Sequence, residues 1–526
     1  MPRRRPQRLA RAPAALAAAF VHLLLVADAR AQSATTSPLP PSLTDPRHAQ
    51  QFGRAPVPVT RAMVPAIAPL PSGAGETGYD STGATRKKKT ARRKPGAARP
   101  APPPPPAPPG PPQQAGGHTG APQIAARAGY SEVYRPPDAP VRRPQVPIQD
   151  AYEPLGLRVG SFLLRPSFEF ARGFDSNPAR VTGGSGSYYT AVEPALQVRS
   201  QWARHAYGAD LRGNFTSYDT LSSSNRPQVE ARTFTRFDVA RDTRVDVEGR
   251  FTLSTDYPGS PNLQADIAKL PTYISYGNTA GLTQRFNRFE LSLKGSVDRT
   301  QYQDSKLTDG TTSGNRDRDF DQYGGQLRAS YELTPGVKPF VELGGDTRQH
   351  DLAFDRNGFQ RDSRALTPKA GTTFELTRKL TGEVSVGYLT RRYQDPALPD
   401  LRGMVADAAL IWTASGLTTA KLSANSRAEE SAVAGVSGAL RRDAALQVDH
   451  AFRRWLIGTL TLGYGFDQYI GNGREDTRTT LGTALIYKIN RDLSFKGEYR
   501  RETLHSNAAN VDYDASIFTI GLKLQR

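Results

Sequence analysis

The chain has 526 residues, a formal net charge of +19 and no cysteine. The missing cysteines exclude a disulfide framework and all thiol chemistry. A mean hydropathy of −0.54 with 37% hydrophobic residues excludes a bundle of transmembrane helices.

In chain order, the first element is a secretory signal at 1–31. MPRRRPQRLAR supplies a basic n-region and APAALAAAFVHLLLVA an apolar h-region. Ala29-Arg30-Ala31 then fits an A-x-A cleavage site, leaving Gln32 as the first mature residue. The apolar run is too short and wrongly flanked for a membrane span.

Residues 32–157 are dominated by Pro, Ala, Gly and charge, with the polyproline run APPPPPAPPGPP at 101–112 and the basic block RKKKTARRK at 86–94. No window keeps a helical or strand period, so a disordered periplasmic region is expected. Residues 1–157 hold 21 Lys+Arg against 8 Asp+Glu, which is +13; the remaining 48 against 42 give +6. The high overall charge thus belongs to the tail. No nucleic-acid-reading motif accompanies it, and the expected partner of the basic block is peptidoglycan.

From 158 to 526 the texture changes to strict alternation. In FLLRPSFEFARGFDSN (162–177), Phe162, Leu164, Phe168, Phe170 and Phe174 share one parity; Arg165, Ser167, Glu169 and Asp175 share the other. This is a strand with one apolar and one polar face. The same pattern recurs from Tyr207–Phe215 through Val245–Leu253, Phe289–Val297, Tyr323–Tyr331 and Gly458–Phe466 to Phe518–Leu524. Short connections such as RDT (241–243), FNR (286–288) and TRK (377–379) alternate with long Gly/Ser/Asn/Asp-rich ones such as 176–186, 255–270 and 304–318.

A propeller blade has no room for ten-residue alternation, and a solenoid needs turns of one length. An even-stranded outer-membrane barrel predicts all of these features, and closure removes sheet edges. The expected fold is therefore all-β: a transmembrane antiparallel outer-membrane β-barrel of about 18 strands, over 158–526. Two aromatic belts support it. One runs along the short-turn side, with Trp202, Trp412 and Trp455; the other runs along the long-loop side, with Tyr188, Tyr302, Tyr323 and Tyr388. Pro166, Pro194, Pro339 and Pro368 fall inside predicted strands and predict bulges or early strand ends. Alternation is weakest over 271–285 and 363–376.

The stretch FLLRPSFEFARGFDSNPAR (162–180) resembles the opening strand of an alphaproteobacterial outer-membrane family described as "putative beta-barrel porin 2". GRFTLSTDYPGSPNLQADIAKLP (249–271) and DRTQYQDSKLTDGTTSGN (298–315) strengthen the resemblance. It implies a barrel in the outer membrane of a Gram-negative bacterium, with outer-membrane lipid, lipopolysaccharide and the barrel-assembly machinery as partners. The chain departs from the usual aromatic ending of such barrels: it closes on GLKLQR, with Leu524 as the last outward apolar side chain.

The inward parity carries the candidate functional residues. In the first five strands these are Arg165, Glu169, Glu193, Arg199, Asp210, Arg212, Glu230, Arg232, Arg236, Asp246, Glu248 and Arg250. Charges of both signs can pair across strands along the wall and leave water between. Eighteen strands make a barrel wide enough for an aqueous channel. The expected function is a porin, a passive diffusion channel for small hydrophilic solutes, narrowed by an inward-folded loop at 255–270 or 304–318.

The alternatives are a structural or surface-interacting barrel tethered to the wall, and a pore for polysaccharide export or specific uptake. Nothing predicts catalysis, a metal or a cofactor. His205, His350, His450 and His505 are scattered, and His350, beside Asp346, Arg348 and Asp351, reads as a solvated loop histidine rather than half of a catalytic dyad.

Overall fold

The computed structural model describes residues 152–263, 267–377 and 379–526. The signal segment 1–31 and the Pro-rich stretch as far as 151, with its basic block, lie outside the described residues.

Eighteen long strands follow one another. The first nine are β1 (Phe162–Asp175), β2 (Ser187–Ser200), β3 (Ala206–Tyr218), β4 (Arg226–Asp238), β5 (Thr243–Thr255), β6 (Thr272–Phe286), β7 (Phe289–Tyr302), β8 (Phe320–Tyr331) and β9 (Val337–His350). The second nine are β10 (Ser363–Thr377), β11 (Leu380–Tyr393), β12 (Leu401–Thr413), β13 (Thr418–Glu430), β14 (Gly438–Arg453), β15 (Leu456–Ile470), β16 (Glu475–Lys488), β17 (Leu493–Ser506) and β18 (Tyr513–Gln525). Each pairs antiparallel with the next. Ser167–Asp175 of β1 pairs with Ile517–Gln525 of β18, which closes the barrel. A fourteen-residue strand rising about 3.3 Å per residue, tilted at roughly 40°, clears the ~25 Å apolar band of an outer membrane.

The pairing of β18 with β1 stops at Ser167, leaving the lower edge of β1 bare. Leu157–Val159 folds back through Gly160, in the left-handed region at φ 59°, and pairs with Phe162–Leu164 there.

Connections on the side of the termini are two to five residues long, while the opposite side carries loops of up to seventeen. One departure is the β15–β16 link, only 471–474, a tight turn in which Gly471 and Gly473 both adopt positive φ. The two segments of weak alternation both form full strands, β6 and β10.

The prolines produce no bulges. At Pro194 and Pro368 the ladder skips two rungs and resumes in register. Pro166 and Pro339 sit where a neighbour's pairing stops, so their missing N–H costs nothing. The barrel's two register shifts fall at Glu375/Thr377 and Ala451/Arg453, both at the short-turn end.

Parity sorts the faces. Leu282, Leu293, Leu327 and Leu343 lie rung to rung across β6–β9, all exposed on the outside. Leu410, Leu422, Leu446, Leu462 and Leu481 form the matching row across β12–β16. These rows mark the bilayer midplane. Trp202, Phe289, Tyr331, Trp412, Phe452, Trp455 and Tyr487 are exposed along the short-turn rim; Tyr188, Tyr323 and Tyr388 are exposed along the other. Tyr302 departs from its expected place in the outer belt: it points inward and is buried, with Arg318 3.9 Å over its ring.

The wall also overlaps itself. β12 and β13 pair only over Ala408–Thr413 and Thr419–Ala424. Above that, Leu440 of β14 has the outward parity of Leu446 yet is fully buried. It packs with Leu389 of β11 and Leu401 and Val405 of β12, which face inward. The outer ends of β13 and β14 are therefore tucked inside the barrel against β10–β12. At the crossing a Cβ on Gly403 would lie 2.3 Å from a Leu440 methyl, so any larger residue there would force Leu440 to move. Where the ladder has parted, the Ser426 hydroxyl bridges to the main chain of Ala406: the Ala406 N–H donates to Oγ at 3.0 Å, and Oγ–H donates to the Ala406 carbonyl at 3.2 Å.

Candidate functional site

The site is the lumen, built by the inward parity of every strand. Toward the short-turn end its charges are wet. Arg199 pairs with Asp210 at 2.7 Å, and Arg236 and Arg244 flank Asp246 at 3.3 and 3.1 Å. Side-chain exposure is 31% at Asp210 and 38% at Asp246. Arg165 reaches Glu153 at 3.5 Å, ahead of the first strand.

Deeper in, Arg232 meets Glu248 at 2.8 Å. Arg250 lies 3.6 Å from Glu248 and 2.6 Å from Asp298 of β7. Glu230 accepts from Gln228 at 3.2 Å and sits opposite Arg212 in the ladder. Glu169 and Glu193 are rung partners, a like-charge pair that a bare sheet would disfavour. Lys523 sits opposite Glu169 on its other side, and Lys496 approaches it to 3.2 Å, so the closure seam is neutralised by cations from β17 and β18. The structure thus brings the twelve candidates into a band of neighbouring pairs on β1–β5 rather than into one focus.

The outer half differs. Arg348, Arg391 and Arg441 are at most 1% exposed. Arg391 holds Asp346 at 2.6 Å. On the inner face of the tucked segment, Arg427, Arg441 and Arg478 interleave with Glu429, Asp443 and Asp467, joined by contacts of 2.8–3.3 Å. Arg348 of β9 donates to Glu430 at the tip of β13, and its Nε donates to Gln322 at 3.0 Å. The Arg348–Glu430 pair joins strands four apart and exists because the tip is tucked in.

Loops complete the narrowing. From loop 256–271, Tyr257 shares a 2.8 Å hydrogen bond with Tyr513 of β18. Asn262 accepts from the Ala432 N–H at 2.8 Å, on the far side of the mouth. The loop therefore crosses the mouth, as the length of 255–270 predicts. Loop 303–319 joins it through a small sheet of Ile267–Lys269, Ser305–Leu307 and Thr312–Ser313, and Arg318 clamps Asp256 at 2.6 Å. Arg361 donates to the carbonyls of Val433 and Val436 at 3.0 and 2.8 Å, tying loop 351–362 to the same tip. His350 is not solvated: its side chain is 4% exposed, its ring lies 5.4 Å from Phe320, and Nδ1 is 3.4 Å from Asp362. At the rim, Arg299 donates to both oxygens of Asp351, and that hydrogen bonding holds the carboxyl below its ordinary range. Burial pushes the Tyr257 phenol up.

The arrangement is a polar lumen inside an apolar sleeve, its charges exposed toward the short-turn end and buried in ion pairs at the other. Among the described residues no group of three or more His, Asp or Glu side chains is placed to hold a metal ion. Parity alone locates the inward charges. It does not locate Arg348, Glu430 or Tyr257 as mouth residues, because their partners depend on where the ladder parts and where a loop lands.

No curated protein matches the chain. Among solved structures it is similar to the outer membrane protein OpdK from Pseudomonas aeruginosa (13% identity, TM-score 0.35, covering 69% of this chain and 99% of that one). It is also similar to a BenF-like porin from Pseudomonas fluorescens Pf-5 (12%, 0.38, 70% and 100%). A third is the siderophore receptor PirA from Acinetobacter baumannii (8%, 0.37, 69% and 80%). The family model described as "Putative beta-barrel porin 2" matches residues 150–526, which include every residue the structure describes, and the chain belongs to that family.

Proposed function

We propose that the protein is a passive diffusion channel for small hydrophilic solutes in the outer membrane. One observation carries this reading: a closed eighteen-strand wall is apolar outside and lined inside by charges of both signs, whose exposure rises toward the short-turn end. Such a lumen offers a hydrated path and no apolar site to retain a solute. The twelve inward charges of β1–β5 are then pore-lining. The overlapped tip of β13–β14 and the crossing loop 256–271 form the constriction, and passage requires them to yield. The test is liposome swelling with sugars of graded size: swelling that falls as solute size increases supports a channel, and liposomes that stay unswollen in every sugar argue against it.

The filled outer half favours one second reading, a non-conducting barrel that anchors the envelope. The short turns lie on the same side as both ends of the barrel sequence, which supports reading that side, and the N-terminal region with it, as periplasmic; RKKKTARRK would there suit anionic wall polymer. Co-sedimentation with isolated peptidoglycan that is salt-sensitive and lost on deleting 86–94 supports that contact; sedimentation unchanged by the deletion removes it.

A further inference from the structure

At the outer mouth, away from the β13–β14 tip, two arginines are buried with donors to spare. Arg226, the first residue of β4, is 4% exposed. Its Nε donates to the Ser224 carbonyl at 3.2 Å, its guanidinium lies 5.9 Å from the Tyr257 ring, and its Nη2 has no hydrogen-bond partner. It forms no ion pair among the described residues. Arg180, from loop 176–186, is fully buried. Its Nη1 donates to both oxygens of Asp175 and its Nε donates to Glu502 at 3.0 Å, while its Nη2 also lacks a partner. Arg226 lies within electrostatic range of Arg180, Asp175, Tyr218 and Tyr257.

The carboxylates here are already taken. Asp175 is bonded by Arg180 and by the Tyr218 hydroxyl at 3.1 Å, and Glu502 by Arg180 and by Arg500 at 2.8 Å. Arg180 is shared between Asp175 and Glu502, and Arg500 between Glu502 and Glu498, which leaves Arg226 with no carboxylate of its own near the hydrogen-bonded pair Tyr257–Tyr513. An unpaired buried guanidinium is among the costliest groups a protein can hold. Its retention calls for an anion.

We propose that Arg226 and Arg180 form a binding site for a small monocarboxylate at the outer mouth of the lumen. The proposal rests on the channel reading and assigns the solute class that the mouth selects. A single negative charge matches the one guanidinium, Arg226, that no carboxylate neutralises, whereas a divalent anion would leave a buried negative charge. Two planar Nη2 donors suit two carboxylate oxygens, and the rings of Tyr218, Tyr257 and Tyr513 suit an apolar body behind them.

Sodium benzoate added to the full-length protein is the probe, read in two ways. In detergent it should raise the unfolding temperature saturably. In planar bilayers it should block chloride current over the same concentration range. Arg226→Gln should raise the half-effective concentration at least tenfold in both assays, with Arg226→Lys intermediate. Arg172→Gln, which removes an equal charge from the outer face of β1, should change neither. Because Arg226→Gln relieves an unpaired charge, it should unfold at a higher temperature than wild type in benzoate-free buffer, so misfolding does not confound the result. Equal benzoate responses in wild type and Arg226→Gln would overturn the site while leaving the channel intact. A thermal response lost in Arg226→Gln from a protein that passes no current would support the site and remove the channel reading.

Discussion

Leu293 and Glu248 sit at similar depth on opposite faces of the wall, and the two solvents set their sensitivity. Leu293 lies mid-row in the outer leucine band at 56% exposure. Leu293→Arg should cost about 2–4 kcal/mol, the penalty for a cation at the bilayer midplane. Glu248→Gln keeps an acceptor for Arg232 in a hydrated lumen and should cost less than about 1 kcal/mol. Unfolding titrations in lipid vesicles check both, and equal costs would mean the faces are misassigned.

Glu430 is the residue on which the mouth turns. Glu430→Ala removes the carboxylate that Arg348 holds at the tip and should destabilise the tucked tip by about 3–5 kcal/mol, the cost of breaking a buried pair. Single-channel conductance should therefore rise. Unchanged conductance would show that the tip does not limit flow.

The Asp351 carboxyl, held low by Arg299, contributes stability that is present above the ordinary carboxylate value near pH 3.9 and is lost only as pH falls through its depressed value. Protease protection of loop 351–362 should accordingly persist from pH 7 to about pH 4 and fail only below that. The pairing of Arg348 with Glu430 was not legible in the sequence. The residues lie 82 positions apart, and Glu430 shares the parity of Leu422, which faces lipid lower on β13.

At the scale of elements, the alternation and the two classes of connection specify the strand number and the sidedness, since both follow from local chemistry. The prolines mislead because a proline is harmless wherever a ladder ends or skips, and the endings depend on neighbours distant in sequence. The parted seam between β12 and β13 has a sequence trace only in hindsight: Gly403 leaves room for Leu440, and Ser426 replaces a strand partner at Ala406. Ser426→Ala should speed amide exchange in 401–407 while leaving 408–413 protected, as followed by exchange mass spectrometry. Uniform exchange along β12 would mean the seam is paired after all.

For the whole molecule, the charge is divided by location. Of the +19, +13 lies in residues 1–157 and +6 in the barrel half. Among the twelve lumen candidates, six arginines face six carboxylates, so no strong selectivity arises from that band. The buried Arg226, which no carboxylate pairs, and the +6 of the barrel half both favour anions, weakly at low salt and less at high salt as screening shortens their reach. The most direct test is the current through single molecules of purified, folded protein in a planar bilayer under a salt gradient. The account predicts discrete conductance steps, with a reversal potential displaced modestly to the anion side and returning toward zero as salt rises on both sides. A protein that inserts and keeps its β-structure yet shows no steps at any voltage would contradict it.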